Sequence, residues 1–224
     1  MILNLLSTAP LVALAWITAL IFALVWHEFA HAYIGSLLGD NTAVKLGRLT
    51  LNPLAHLDLV GSLLLLTVGF GWAKPVPFDP SQLKHPWRDG ALIAMAGPGA
   101  NLILALVAGL AFRFLIIIFP SITGTLLPLF LILLCITNLF LALFNLIPIP
   151  PLDGSKVLDI LFARAQAWRA YAFVHQYGPQ FLLIVILFSS FTPLDPFSFL
   201  SVPAFLTCDF LFSTSCAGFL STAL

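Results

Sequence analysis

The sequence predicts an all-α protein that crosses a membrane several times, and three observations carry that prediction. Hydrophobic residues make up 61% of the 224 and charged residues only 8%, where a soluble domain has about 45–50% and about 25%. Mean hydropathy is correspondingly high, at +1.08. Apolar runs of membrane-spanning length recur along the chain, separated by short polar or Pro/Gly-rich breaks. So few charges cannot cover a surface in water, and most of the surface must meet lipid. Nine Lys and Arg offset nine Asp and Glu, a balance that offers no basic face to nucleic acid. Cys135, Cys208 and Cys216 have neither metal-ligand spacing nor an even count, and are expected to stay reduced, with no disulfide framework.

The first run, Leu11 to Leu38, is interrupted only by His27, Glu28 and His31. As a helix it is about 42 Å long, enough for a tilted crossing. Met1-Ile2-Leu3-Asn4 lacks the basic start of a signal peptide, so the run is expected to be retained. Gly39-Asp40-Asn41 ends it. Residues 42–57, which include Lys45, Gly47, Arg48 and Pro53, alternate in polarity and suggest a short strand or hairpin near the membrane surface. Leu59 to Phe70 is apolar but only about twelve residues long, short of the ~20 that a crossing needs. The prolines and glycine of Gly71-Trp72-Ala73-Lys74-Pro75-Val76-Pro77-Phe78 then forbid a regular helix.

Ala91 to Phe119 and Leu126 to Ile147 are further spans, the second closed by Pro148-Ile149-Pro150-Pro151. Residues 154–170 are amphipathic, Ala172 to Phe191 is again a span, and the apolar tail Phe197 to Leu220 is broken by Pro203 and Asp209. No repeat or low-complexity linker divides the chain. It reads as one domain over 1–224, with a core at about 10–160, C-terminal segments at about 172–220, and about five to six membrane segments, one of them re-entrant.

The chemistry sits in the first run. His27-Glu28-Phe29-Ala30-His31 is an H-E-x-x-H pattern on a helix, and the i, i+4 spacing stacks both imidazoles on one face, ready to share a tetrahedral metal. Glu28 is placed to take a proton from water at that metal. Polar groups inside a lipid-embedded helix cost about 2.5–3.5 kcal/mol each when charged and unpaired. A polar patch satisfied by neighbouring helices is the plain alternative, but few intramembrane partners exist to satisfy it.

An open zinc site needs a third protein ligand. His56, His85 and His175 sit in or beside loops, and His56 and His85 are expected to be solvated there. Asp153 follows an intramembrane segment, although an Asp-Gly pair is ordinarily a turn. Topology favours Asp153. If Leu59–Phe70 crossed fully, Asp153 would emerge on the face opposite His31. If that segment dips in and returns, Asp153 arrives on the same side. Re-entry also gathers Lys45, Arg48, Lys74, Lys84, Arg88, Lys156, Arg164 and Arg169 on one face and leaves only Arg113 elsewhere, the bias expected of a cytoplasmic side. The metal site then lies in the cytoplasmic half of the bilayer of a multi-pass protein.

Together with Leu51-Asn52-Pro53, the Gly71–Pro77 stretch, Gly97-Pro98-Gly99-Ala100-Asn101 and Asn145 to Gly154, this pattern resembles the site-2 protease family of intramembrane zinc metalloproteases. The motifs come in the family's order over about residues 20 to 160. The resemblance is to the compact members, since no PDZ-like insertion separates the spans. It implies one zinc ion per chain held by His27, His31 and Asp153, with Glu28 as general base. It also implies a substrate or transition-state contact at Asn145, and a loop holding the substrate strand at Trp72, Lys74 and Pro75. Asn101 is a further substrate-side candidate. Each of these also has a plainer role: Asn101 and Asn145 as helix-packing amides, Trp72 as an interfacial anchor.

The activity implied is hydrolysis of peptide bonds in or near transmembrane segments of single-span membrane proteins, within the lipid bilayer. Two other classes are open, a transporter with an intramembrane polar site and a catalytically silent scaffold. A transporter predicts inverted repeats, which the sequence lacks. A silent scaffold has no need of the intact His27, Glu28, His31 and Asp153.

Overall fold

The computed structural model describes residues 2–68, 71–192 and 196–223. After a short α1 (Ile2–Thr8), α2 runs from Pro10 to Leu37, within one residue of the predicted span at each end. Pro10 starts α2 because its missing N–H would be unbonded there anyway. Gly39 stops it: with φ at +105°, it lets the Asp40 N–H bond Gly35 O at 2.9 Å and its own N–H bond Ser36 O at 3.2 Å, a Schellman closure.

Residues 42–57 differ from expectation. They form a helical turn, α3 (Thr42–Lys45), and a 3-10 turn at Pro53–Ala55 capped by the Asn52 side chain. The predicted hairpin is reduced to one antiparallel bridge, Leu57 to Ala73, and no longer strand occurs among the described residues. Gly47 at φ +69° breaks the segment, and local turns such as Arg48 N–H to Ala43 O take up the backbone groups that a ladder would need.

Helix α4 (Leu59–Val68) has ten residues, about 15 Å of rise. Residues 69 and 70, the predicted end of this segment, lie outside the described residues. The chain does not continue away from α4. Leu57 and Ala73, on either side of it, pair with each other, and residues 71 and 72 press on its first turn so closely that a Cβ on Gly61 would meet Trp72 O at 2.2 Å.

Helix α5 (Pro86–Ile118) starts five residues before the predicted span, and α6 (Leu126–Asn145) ends two residues before its predicted limit. The amphipathic segment is shorter than expected: α7 (Gly154–Arg164) stops at Ala165, and α8 (Trp168–Phe191) takes over. The tail is a helical pair, α9 (Ser198–Phe212) and α10 (Cys216–Ala223). Here the cysteine expectation is corrected. Cys208 and Cys216 form a disulfide and only Cys135 is free. Ser213 at positive φ turns the chain back and sets the two Cα atoms 6.2 Å apart, within bridging range. Nothing in a sequence separation of eight announces that turn.

Among the described residues four helices, α2, α5, α6 and α8, are long and apolar enough to cross a membrane. Small side chains let them approach: Ala19, Ala105, Cys135 and Ala204 are fully buried between α2, α5, α6 and α9, as expected where packing rather than water drives association. Helix α6 is enclosed, while Ile103, Phe114 and Ile117 of α5 are more than 60% exposed, an apolar outer face suited to lipid. This is an all-α membrane protein.

Candidate metal centre

Two elements bring three donors to one point. Helix α2 supplies His27 and His31 from one face, with His27 only 4% exposed. Asp153 comes from the turn after α6. That turn is tight, and a Cβ on Gly154 would meet Leu146 O at 2.3 Å, so only glycine lets the chain close and carry Asp153 back. Asp153 Oδ2 then lies 3.1 Å from His27 Nε2 and 3.5 Å from His31 Nε2.

Hydrogen bonds behind the imidazoles decide which nitrogens point inward. His27 Nδ1 is 2.6 Å from Asn101 Oδ1, and His31 Nδ1 is 2.7 Å from Ile93 O. Both partners are acceptors, so each ring carries its proton on Nδ1 and turns an Nε2 lone pair toward Asp153. Asp153 Oδ2 is buried without any donor. In the neutral rings two lone pairs then face a carboxylate oxygen, an arrangement that a metal cation satisfies. The three donors lie within 4.8 Å of one another, and the N2O set suits zinc, whose tetrahedral ligands stand about 3.3 Å apart. Gly97 keeps the space open: a Cβ there would lie 2.5 Å from His31 Nε2 and 2.6 Å from His27 Nε2. These residues fit a zinc ion.

Asn101, a substrate-side candidate in sequence, is placed elsewhere. It is fully buried, with Oδ1 on His27 and Nδ2 donating to Ala23 O at 3.1 Å and to Asn138 Oδ1 at 2.7 Å. Asn138 in turn donates to Leu134 O at 2.7 Å. Sequence reading missed Asn138. The available signal was a lone amide on an apolar helix seven residues, about two turns, before Asn145 and on the same face. Asn145 itself is half-buried and donates to Leu141 O at 2.9 Å.

The Gly71–Phe78 loop reaches the site through its backbone. Val76 N–H donates to Glu28 Oε2 at 3.1 Å. Pro75 and Pro77 have no N–H, so this is the one donor that the 75–77 edge possesses. Arg48, read in sequence only as a topological charge, is 6% exposed and donates from Nη2 to Lys74 O at 2.6 Å and Pro75 O at 2.9 Å. Trp72 is 46% exposed, and Lys74 and Pro75 line a groove of about 340 Å³ with Leu46, Arg48 and Pro77. The other histidines stand apart from the metal centre. His56, expected to be solvated, is buried at 1% exposure, with Nε2 2.8 Å from Thr50 O. His85 caps α5 and His175 pairs with Asp159 at 2.7 Å.

Residues 116–189 match the model of peptidase family M50, a stretch that includes Asp153. The chain is 39% identical to the protein named "Putative zinc metalloprotease YwhC" of Bacillus subtilis, over 81% of this chain and 82% of that one. It is 34% identical to "Putative zinc metalloprotease Rip2" of Mycolicibacterium smegmatis over 75% of this chain, spanning 63% of that longer protein. Over 45% of this chain it is 50% identical to "Putative zinc metalloprotease MJ0611" of Methanocaldococcus jannaschii. No solved structure matches it significantly. With this likeness and its three convergent donors, the chain belongs to peptidase family M50, the site-2 protease family of zinc metalloproteases.

Proposed function

We propose that the protein is a zinc-dependent intramembrane endopeptidase that cuts single-span membrane proteins in or near their transmembrane segments. The observation that carries this reading is the buried His27–His31–Asp153 cluster on apolar helices, with the Glu28 carboxylate beside it. Zinc, when bound by these three residues, polarises a scissile carbonyl and makes water more acidic. With Oε2 of Glu28 held by the Val76 N–H, Oε1 takes the proton of the attacking water and later returns it to the leaving nitrogen. Asn101, backed by Asn138, keeps the His27 proton on Nδ1 and so keeps Nε2 available. Asn145 contacts the substrate.

A substrate helix satisfies its own backbone and must unwind before it is cut. An extended substrate strand would recover those hydrogen bonds along the Gly71–Phe78 loop, beside the Lys74–Pro75 groove. At rest the Lys74 and Pro75 carbonyls serve Arg48 and the Val76 N–H serves Glu28. Pairing at that stretch therefore requires the loop to shift. The test is reconstitution in liposomes with a single-span reporter: cleavage should be lost on chelation and restored by zinc. Cleavage unaffected by chelation would overturn the assignment.

The same reading places the chain in the cell membrane as one multi-pass domain, α4 re-entrant and the metal in the cytoplasmic half. Hydrogen bonds tie Arg48 to the 74–75 stretch and Gln82 to Thr42, which puts the basic segments at one end of the bundle. Single cysteines at 42–57, 72–88 and 154–169 should therefore label from the same, cytoplasmic, side. Labelling of 42–57 and 72–88 from opposite sides would rule out re-entry.

A further inference from the structure

At the end of the bundle where α5 and α8 begin, a pocket of about 640 Å³ is lined by residues that the proposed chemistry does not use. Lys84 comes from just before α5, Trp87 and Arg88 from its first turn, Arg164 from the last turn of α7, and Trp168 from the first turn of α8. No carboxylate lines it. Among the described residues neither Lys84 nor Arg164 forms an ion pair. Arg88 engages the buried Asp89 through Nε at 3.0 Å while its side chain stays 65% exposed. Two unpaired cations, Lys84 and Arg164, therefore border one concavity beside the partly compensated Arg88, and like charges so placed repel unless an anion lies among them. The N-terminus of α8 adds partial positive charge, while Asp89 caps that of α5 and the last carbonyls of α7 oppose it.

The pocket's depth in the protein narrows the ligand. Both α5 and α8 pass from here into apolar, span-length segments, so the pocket lies at their polar boundary. The Trp87 and Trp168 rings, 6.1 Å apart and about half exposed, are amphipathic groups of the kind that settle at headgroup level. We propose that this pocket binds a phosphate-bearing anion, which in a membrane is the headgroup of an acidic phospholipid. Such a ligand ties the start of α5 to the end of α7. Helix α5 carries Ile93 and Asn101, which hold the two metal-facing histidines, and α7 begins beside Asp153.

The test uses the full chain in neutral detergent, titrated with phosphatidylglycerol or phosphatidylcholine, with retained lipid counted by native mass spectrometry. The anionic phosphatidylglycerol should be retained preferentially. Each cation near an anionic headgroup is worth about fivefold in affinity, so Lys84→Gln/Arg164→Gln should weaken phosphatidylglycerol binding about 25-fold. Lys45→Gln, which removes a cation from the same end but outside the pocket, should change it less than about twofold, and the charge-keeping Arg164→Lys less than about threefold. An unshifted melting temperature in lipid-free detergent shows that the double variant is folded, and Arg164→Gln alone, expected to lose about fivefold, replaces it if it is not. Inorganic phosphate distinguishes the source of the anion: displacement of the lipid at millimolar phosphate makes the natural ligand a soluble phosphate ester, and retention makes it the lipid. Equal retention of both lipids, or a loss in the double variant no larger than in Lys45→Gln, would overturn the proposal.

Discussion

Glu28→Gln should abolish cleavage while leaving the metal in place. The amide is nearly isosteric and can still accept the Val76 N–H through its oxygen, so the loop that reaches the site at 3.1 Å keeps its anchor. What it cannot do is take a proton from water. General acid–base help is typically worth about 10²–10⁴-fold, so turnover of a reconstituted single-span reporter should fall by at least that much. Zinc content, measured on the same purified sample, should match the unaltered protein, because Glu28 is not among the three convergent donors. Uncut reporter should co-purify with the variant. Near-normal turnover would remove Glu28 from the chemistry, and loss of zinc together with activity would make it a ligand.

Metal content should fall in a graded order set by how each residue touches the site. Asp153→Ala removes a ligand outright and leaves two lone pairs facing a void, so zinc should be largely absent after purification. Gly97→Ala should do nearly the same without touching a ligand, since the added methyl would stand 2.5 Å from His31 Nε2. Asn101→Ala should be milder. It leaves every ligand in place but frees His27 to carry its proton on Nε2, and loss of such a supporting bond costs about 10–100-fold in affinity. Competition against a chelator of known affinity reads all three. Full occupancy in Asp153→Ala would mean that the third ligand lies elsewhere, and an Asn101→Ala loss as large as that of Asp153→Ala would point to collapse of the helix packing.

Much of this site was legible before any coordinates. The i, i+4 histidines in an apolar run define a metal-binding face because helix geometry is local, and the spans follow from length and hydropathy for the same reason. The shortness of the next apolar segment was readable too, since twelve residues are too few to cross, and the chain on its two sides pairs at Leu57 and Ala73. Asp153 emerged from that topological argument, and the structure brings it to the histidines at 3.1 and 3.5 Å.

Other features depend on contacts between residues far apart in the chain. Asn101 is a lone amide in sequence, and only the packing of α5 on α2 and α6 turns it toward His27 and Asn138. Arg48 counted as a charge for topology, yet it is buried with its guanidinium on the carbonyls of residues 26 and 27 positions away. The Cys208–Cys216 bond needed the turn at Ser213, and the expected hairpin at 42–57 gave way to turns that satisfy the backbone locally. The sequence by itself determined the apolar spans and the paired histidines with their glutamate. The tertiary structure decided which nitrogen each histidine presents and which backbone edge faces Glu28. Periodicity and hydropathy are properties of neighbouring residues, whereas the direction of a hydrogen bond between helices exists only once those helices have packed.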